Sequence, residues 1–195
     1  MQISTEDVKK LREATGAGMM DAKKALLEAG NFDEAVALLR KKGHASLAKK
    51  SERTTKEGIV ASYIHAGGKV GVLIELNCET DFVARNEAFQ ALAQEIALHI
   101  AAAAPIYVSR DQVPEAVADN EKNIYREQIK DKPVAMQDQI IAGKLEKYYE
   151  MVCLLDQPYV REPEKKIKDL IAESVSKLGE NIQVRRFTRF MLGSE

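Results

Sequence analysis

There is no tryptophan in this chain, only two cysteines, and aromatic residues make up 6% of it. So thin an aromatic complement means that the core is built from aliphatic side chains and alanine. Cys78 and Cys153 lie far apart and form no CxxC, which fits a reducing compartment and buried thiols better than a disulfide frame or a metal site. No apolar run is long enough to span a bilayer. Met1 to Lys10 carries Glu6 and Asp7 and lacks an apolar h-region, so no secretory leader is expected. Neither sign of charge dominates: 29 Lys and Arg against 30 Asp and Glu leave a formal net charge of -1. That balance argues against non-specific nucleic-acid binding through a uniformly basic surface. The expectation is a cytoplasmic protein that binds neither nucleic acid nor membrane.

What is present is enough for a real core. At 195 residues and 45% hydrophobic, the chain has room for one domain and a small second one. Residues 4 to 43 alternate short helical patterns with glycine stops. Ser4 and Asp7 cap a first helix that buries Val8 and Leu11 and ends at Gly16. A second helix begins near Asp21, turns Ala25 and Leu26 inward with Leu27 beside them, and stops at Gly30. Asp33 caps a third, whose Val36, Leu38 and Leu39 complete a minimal core. Between the first two helices, Thr15-Gly16-Ala17-Gly18-Met19-Met20 combines a tight turn with two adjacent methionines. Exposed methionine suits adaptable protein contacts, and the alternative is that one of the pair plugs the module. Arg12 lies one turn earlier, exposed beside the loop. Residues 44 to 57 lose apolar periodicity and read as a linker or partly helical tether.

Beyond it, residues 58 to 65 and 69 to 77 alternate as two strands of a hairpin turned by Ala66-Gly67-Gly68, with Val70, Val72, Ile74 and Leu76 on one face. Gly67-Gly68-Lys69 lacks the Walker spacing and its lysine opens a strand, so no nucleotide binding by this chain is expected. A helix from about Asn86 to Ala103 follows, with Phe89, Leu92, Ala93, Ile96 and Ile100 as its apolar stripe. His65 and His99 read as core or edge histidines. Cys78 lacks the glycine-rich oxyanion turn and ordered partner of a nucleophile. Residues 114 to 155 suggest an antiparallel helical pair divided at Pro133. A last helix from about Glu164 to Leu178 precedes a strand, Asn181 to Phe190, which joins the hairpin sheet with Ile182, Val184, Arg186, Thr188 and Phe190 on one face. The expected class is α+β: a three-helix module at 1–43, a linker at 44–57, and a core at 58–195 with a helical hairpin at about 114–155.

The stretch between the second strand and its helix, Asn77 to Phe89, places Thr80, Asp81, Phe82 and Val83 at a corner. Two readings of those residues stand side by side. Asp81 caps the helix while Phe82 staples its first turn, or Phe82 is offered to a partner.

TGAGMMDAKKAL at Thr15 to Leu26 and NCETDFVARNEAF at Asn77 to Phe89 resemble the elongation factor Ts family, nucleotide-exchange factors for elongation factor Tu. GKLEKYYEMVCLLDQPYV at Gly143 to Val160 and GENIQVRRFTRFMLG at Gly179 to Gly193 extend the likeness over most of the chain. The resemblance implies an N-terminal module like ubiquitin-associated domains and a factor that is not an enzyme and carries no cofactor. It implies that Thr80, Asp81, Phe82 and Val83 disturb the magnesium and phosphate end of the partner's nucleotide site. Arg12, Thr15, Gly16, Gly18, Met19 and Met20 would bind elongation factor Tu, in its GDP-bound and nucleotide-free states. A single copy of the strand-corner-helix pattern resembles the family's short members, which implies a homodimer. The rival class is a protein-interaction scaffold, with a ubiquitin-associated-like module and a structural corner.

Overall fold

The computed structural model describes residues 4–15 and 17–194, without the side chains of 44, 46–49 and 135. Three helices open the chain: α1 (Thr5–Thr15), α2 (Met19–Ala29) and α3 (Phe32–Lys50). Ser4 and Asp7 cap α1 reciprocally, since the Asp7 N–H donates to Ser4 Oγ at 3.0 Å and the Ser4 N–H to Asp7 Oδ2 at 3.2 Å. Gly30 closes α2 in the left-handed conformation at φ 77°. Asn31, not Asp33, caps α3: its Oδ1 accepts the Glu34 N–H at 2.8 Å. Capping needs the side chain that precedes the helix, and Asp33 already lies in its first turn. Val8, Leu11, Ala22, Ala25, Leu26, Ala35 and Leu39 form this module's core, with Val36 and Leu38 at its margin. Leu27 points to solvent. Helix α3 runs to Lys50, through the first half of the stretch read as linker, and Gly43 packs against Ala172 of α8 (Ile167–Leu178).

Strands β1 (Glu57–Ile64) and β2 (Val70–Cys78) form the hairpin, and β5 (Gln183–Met191) pairs with β2, so the sheet order is β1-β2-β5, all antiparallel. Helix α5 (Glu87–Ala103) covers one face, burying Phe89, Leu92, Ala93, Ile96 and Ile100 against Val72, Ile74 and Leu76. The alternation expected along β5 breaks. Between Glu75 and Leu76 the pairing slips, with Glu75 opposite Arg186 and Leu76 opposite Val184, so Arg185 is an extra residue. A bulge of this kind inverts the strand's faces. Ile182 and Val184 therefore face the core, but beyond the bulge Phe187 takes that role while Arg186, Thr188 and Phe190 face out.

Helices α6 (Glu115–Gln128) and α7 (Val134–Val152) form the hairpin, separated near Pro133. Ahead of α8, β3 (Pro158–Tyr159) and β4 (Glu162–Lys166) form a small ribbon, so the last helix starts at Ile167 and not Glu164. Glu162-Pro-Glu-Lys-Lys has no apolar alternation to announce a strand. Among the described residues, no helix is long and apolar enough to cross a membrane.

His99 is fully buried at the junction of α5 with this ribbon. Gln157 donates from Nε2 to Met151 O at 2.7 Å, which leaves its Oε1 facing His99 Nε2 at 2.9 Å. His99 Nδ1 accepts the Val160 N–H at 3.3 Å, so the neutral tautomer protonated on Nε2 satisfies every partner. Burial lowers the imidazole's pKa, and the bond to Gln157 offsets this only in part. Below the ordinary value of 6.5 the unfolded chain binds a proton that the folded one refuses, so stability falls with acid. Melting temperature is expected to decline from pH 8 to pH 5.5. A His99→Gln variant starts lower at pH 8 and loses less over that range; equal losses would refute the assignment.

Candidate functional site

Strand β2 delivers its last residues to a clamp. Glu79 and Thr80 donate their backbone N–H groups to Glu180 Oε2 at 3.1 and 3.0 Å, and the Thr80 hydroxyl donates to Glu180 Oε1 at 2.6 Å. Thr80 is extended at φ −129°, ψ 156° and caps the one-turn helix α4 (Asp81–Ala84), its Oγ1 accepting the Val83 N–H at 3.4 Å. Thr80, not Asp81, is thus the cap. Asp81 sits in the first turn and pairs with Arg85 at 2.8 Å, largely in solvent. Asn86 restarts the chain as α5 by accepting the Ala88 N–H at 2.8 Å.

One helical turn sorts its side chains by direction. Ala84 is buried and Val83 packs at the core's margin, while Phe82 on the other side is 79% exposed. The staple reading fails, because a stapling phenyl would be covered. An aromatic ring in water on a turn with a fixed backbone has the character of a binding anchor.

The second group gathers at the α1–α2 junction. Thr15 Oγ1 donates to Leu11 O at 2.6 Å and accepts the Ala17 N–H at 3.4 Å, turning the chain over the end of α1. Gly18 precedes α2 in an extended conformation, and Met19 and Met20 open that helix at 42% and 65% exposure. Neither methionine plugs the module. Arg12 is exposed on α1. Gly16 lies outside the described residues. The structure therefore brings Thr80, Asp81, Phe82 and Val83 together on one turn, and places Arg12, Thr15, Gly18, Met19 and Met20 on separate elements of the helical module.

Cys78 borders the corner, fully buried, its Sγ donating to Thr80 O at 3.1 Å. Burial pushes its pKa up to about 11, and the charge of Glu180 adds to the shift. At neutral pH it is a sealed thiol, unsuited to nucleophilic attack. Among the described residues, no group of three His, Cys, Asp or Glu side chains could hold a metal ion.

Glu180, Glu79 and Asn181 complete the corner and were not legible as site residues. Glu79 Oε1 accepts the Asn181 N–H at 2.6 Å and faces Arg53 at 3.5 Å. A glutamate following a helix-ending glycine is commonplace, and its partner lies 100 residues away.

Fold and site together define an α+β protein that displays apolar side chains on a clamped turn and a small helical module. A family model described as Elongation factor TS matches residues 4–194. Elongation factor Ts of Thermodesulfovibrio yellowstonii is 57% identical over 195 residues, covering 99% of this chain and 98% of its own length. That of Anaeromyxobacter sp. is 58% identical over 195 residues, at 98% and 89% coverage. That of Thermotoga neapolitana is 54% identical over 196 residues, spanning both chains entirely. The chain belongs to the elongation factor Ts family. Its role is accordingly in translation elongation, a step of protein biosynthesis.

Proposed function

We propose that this chain is a cytoplasmic guanine-nucleotide exchange factor, not an enzyme, that binds GDP-bound elongation factor Tu and promotes GDP release. The observation that carries the reading is the exposure of Phe82 on a turn whose backbone is held by Thr80. GDP is retained partly through a magnesium ion bridging phosphate oxygens and protein ligands. Wedging Phe82 beside those supports, with Asp81 next to it, weakens the nucleotide without covalent chemistry. Arg12, Thr15, Gly16, Gly18, Met19 and Met20 provide the second attachment, through the helical module. Linkage sets the test: a factor that weakens GDP must itself be weakened by GDP to the same degree. The chain should form a complex with nucleotide-free elongation factor Tu that dissolves when GDP and magnesium are added. A complex indifferent to GDP would favour the scaffold reading.

The same proposal includes a homodimer. Val60, Ile64, Leu73 and Phe190 share the sheet face turned away from α5, and all are exposed. A second copy related by a two-fold axis would cover this face. Sedimentation should give a dimer for the wild-type chain and a monomer for Phe190→Asp; a wild-type monomer at micromolar concentration would refute it.

A further inference from the structure

The corner does not hold itself. Three of its bonds to the rest of the fold converge on one carboxylate, that of half-buried Glu180, which takes the N–H groups of Glu79 and Thr80 and the hydroxyl of Thr80. Glu180 stands on a segment that is itself fastened on two sides. The Asn181 N–H donates to Glu79 Oε1, making the exchange between the two strands of chain reciprocal. Asn181 Nδ2 donates to Arg53 O at 2.9 Å, Gln183 Nε2 to Ser51 O at 3.1 Å, and Lys50 Nζ to Gly179 O at 2.7 Å. Those three acceptors and donors belong to the end of α3 and the turn after it.

Resting on the exchange reading above, we propose that Glu180 is the positioning residue of the exchange element. Through Thr80 it sets the direction of Phe82, and through its neighbours it ties that direction to the end of the helical module. The chemistry suits the task. Thr80 has two duties, capping α4 and meeting Glu180, and its hydroxyl serves both because it accepts from Val83 and donates to Glu180. The two oxygens of a carboxyl group offer acceptor sites for two amides and a hydroxyl at once. Phe82 begins two residues later, so a rotation about Thr80 swings the ring. A wedge needs a fixed bearing, because small misplacements of a reacting or displacing group carry large rate costs.

The test compares wild type, Glu180→Gln, Glu180→Ala and Phe82→Ala in release of a fluorescent GDP analogue from elongation factor Tu, across a range of factor concentrations. In Glu180→Ala the maximal rate is expected to fall about tenfold or more, with the half-saturating concentration changed less than about threefold and the melting temperature lowered by a few degrees, because two amides and a hydroxyl lose their acceptor. Glu180→Gln keeps one carbonyl acceptor and should fall between. Hydrogen exchange adds a readout on the free chain: the amides of Glu79 and Thr80 should lose protection in Glu180→Ala while those of Ile74 and Leu76 keep it. If wild type accelerates release, Phe82→Ala fails to, and Glu180→Ala matches wild type in maximal rate, positioning by Glu180 is overturned and exchange stands. A lowered melting temperature and a raised half-saturating concentration at unchanged maximal rate would likewise overturn it, as a purely structural role. No acceleration by wild type overturns the exchange reading and this inference with it.

Discussion

Phe82→Ala is expected to lower the chain's stimulation of GDP release by roughly thirtyfold or more, the loss of one hot-spot anchor of about 2 kcal/mol, while its melting temperature stays near that of wild type. The ring is 79% exposed, so its removal opens no cavity in the fold. Burying a phenyl of ~150 to 250 Å² against a partner, at roughly 25 cal/mol per Å², gains at most a few kcal/mol. That suffices to stabilise a displaced element in the partner. Release assays and thermal melts on the same preparations separate the outcomes. A fall in melting temperature with stimulation intact would mean that the ring serves this fold and not the partner.

Arg110→Leu should have the largest effect on stability. Arg110 lies between the core and the helical hairpin and satisfies two carboxylates with its whole fork. Nε and Nη2 reach Asp156 at 2.8 and 3.1 Å, while Nη1 and Nη2 reach Glu146 at 2.7 and 2.8 Å. Its guanidinium also lies 4.9 Å from the centre of the Tyr149 ring. Asp156 is buried, and Lys168 of α8, at 3.3 Å, is its other cation. Removing Arg110 leaves the buried Asp156 carboxylate with Lys168 alone, without its closest and two-pronged partner, at about 3 kcal/mol. For a chain of this size that corresponds to roughly 6 to 12 °C in melting temperature.

The acid limb supplies a second signature. Burial alone would raise the pKa of Asp156, but the hydrogen bonds and charge of Arg110, with Lys168, outweigh it and hold the carboxyl below its ordinary 3.8. A depressed carboxyl contributes stability that is complete above its unfolded value and lost as pH falls through the lower folded one. Without Arg110 only Lys168 still opposes burial, so the carboxyl is less depressed and the variant should unfold at higher pH than wild type. Coincident acid transitions would contradict the role given to this cluster.

Much of the architecture was readable because one-sided burial leaves a periodic trace. Phe89, Leu92, Ala93, Ile96 and Ile100 announce α5, and Val72, Ile74 and Leu76 announce the inner face of β2. What escaped depends on pairings that leave no periodicity. The bulge at Arg185 inverts Arg186, Thr188 and Phe190 only because of how β5 meets β2. The ribbon of β3 and β4 is too short and polar to be seen. At the corner, residue types permitted Phe82 to be staple or anchor alike; the resemblance favoured anchor, and only placement of Val83 and Ala84 inward exposes the ring. Glu180 was invisible for the same reason as the bulge, since long-range contacts are written in three dimensions.

The most direct measurement is stopped-flow release of a fluorescent GDP analogue from elongation factor Tu with magnesium present, as the wild-type chain is titrated in. Exchange through a displaced magnesium site predicts a rate that climbs with chain concentration and saturates far above spontaneous release. A rate that stays at the spontaneous value, while the chain demonstrably binds its partner, would contradict exchange and leave a scaffold in its place.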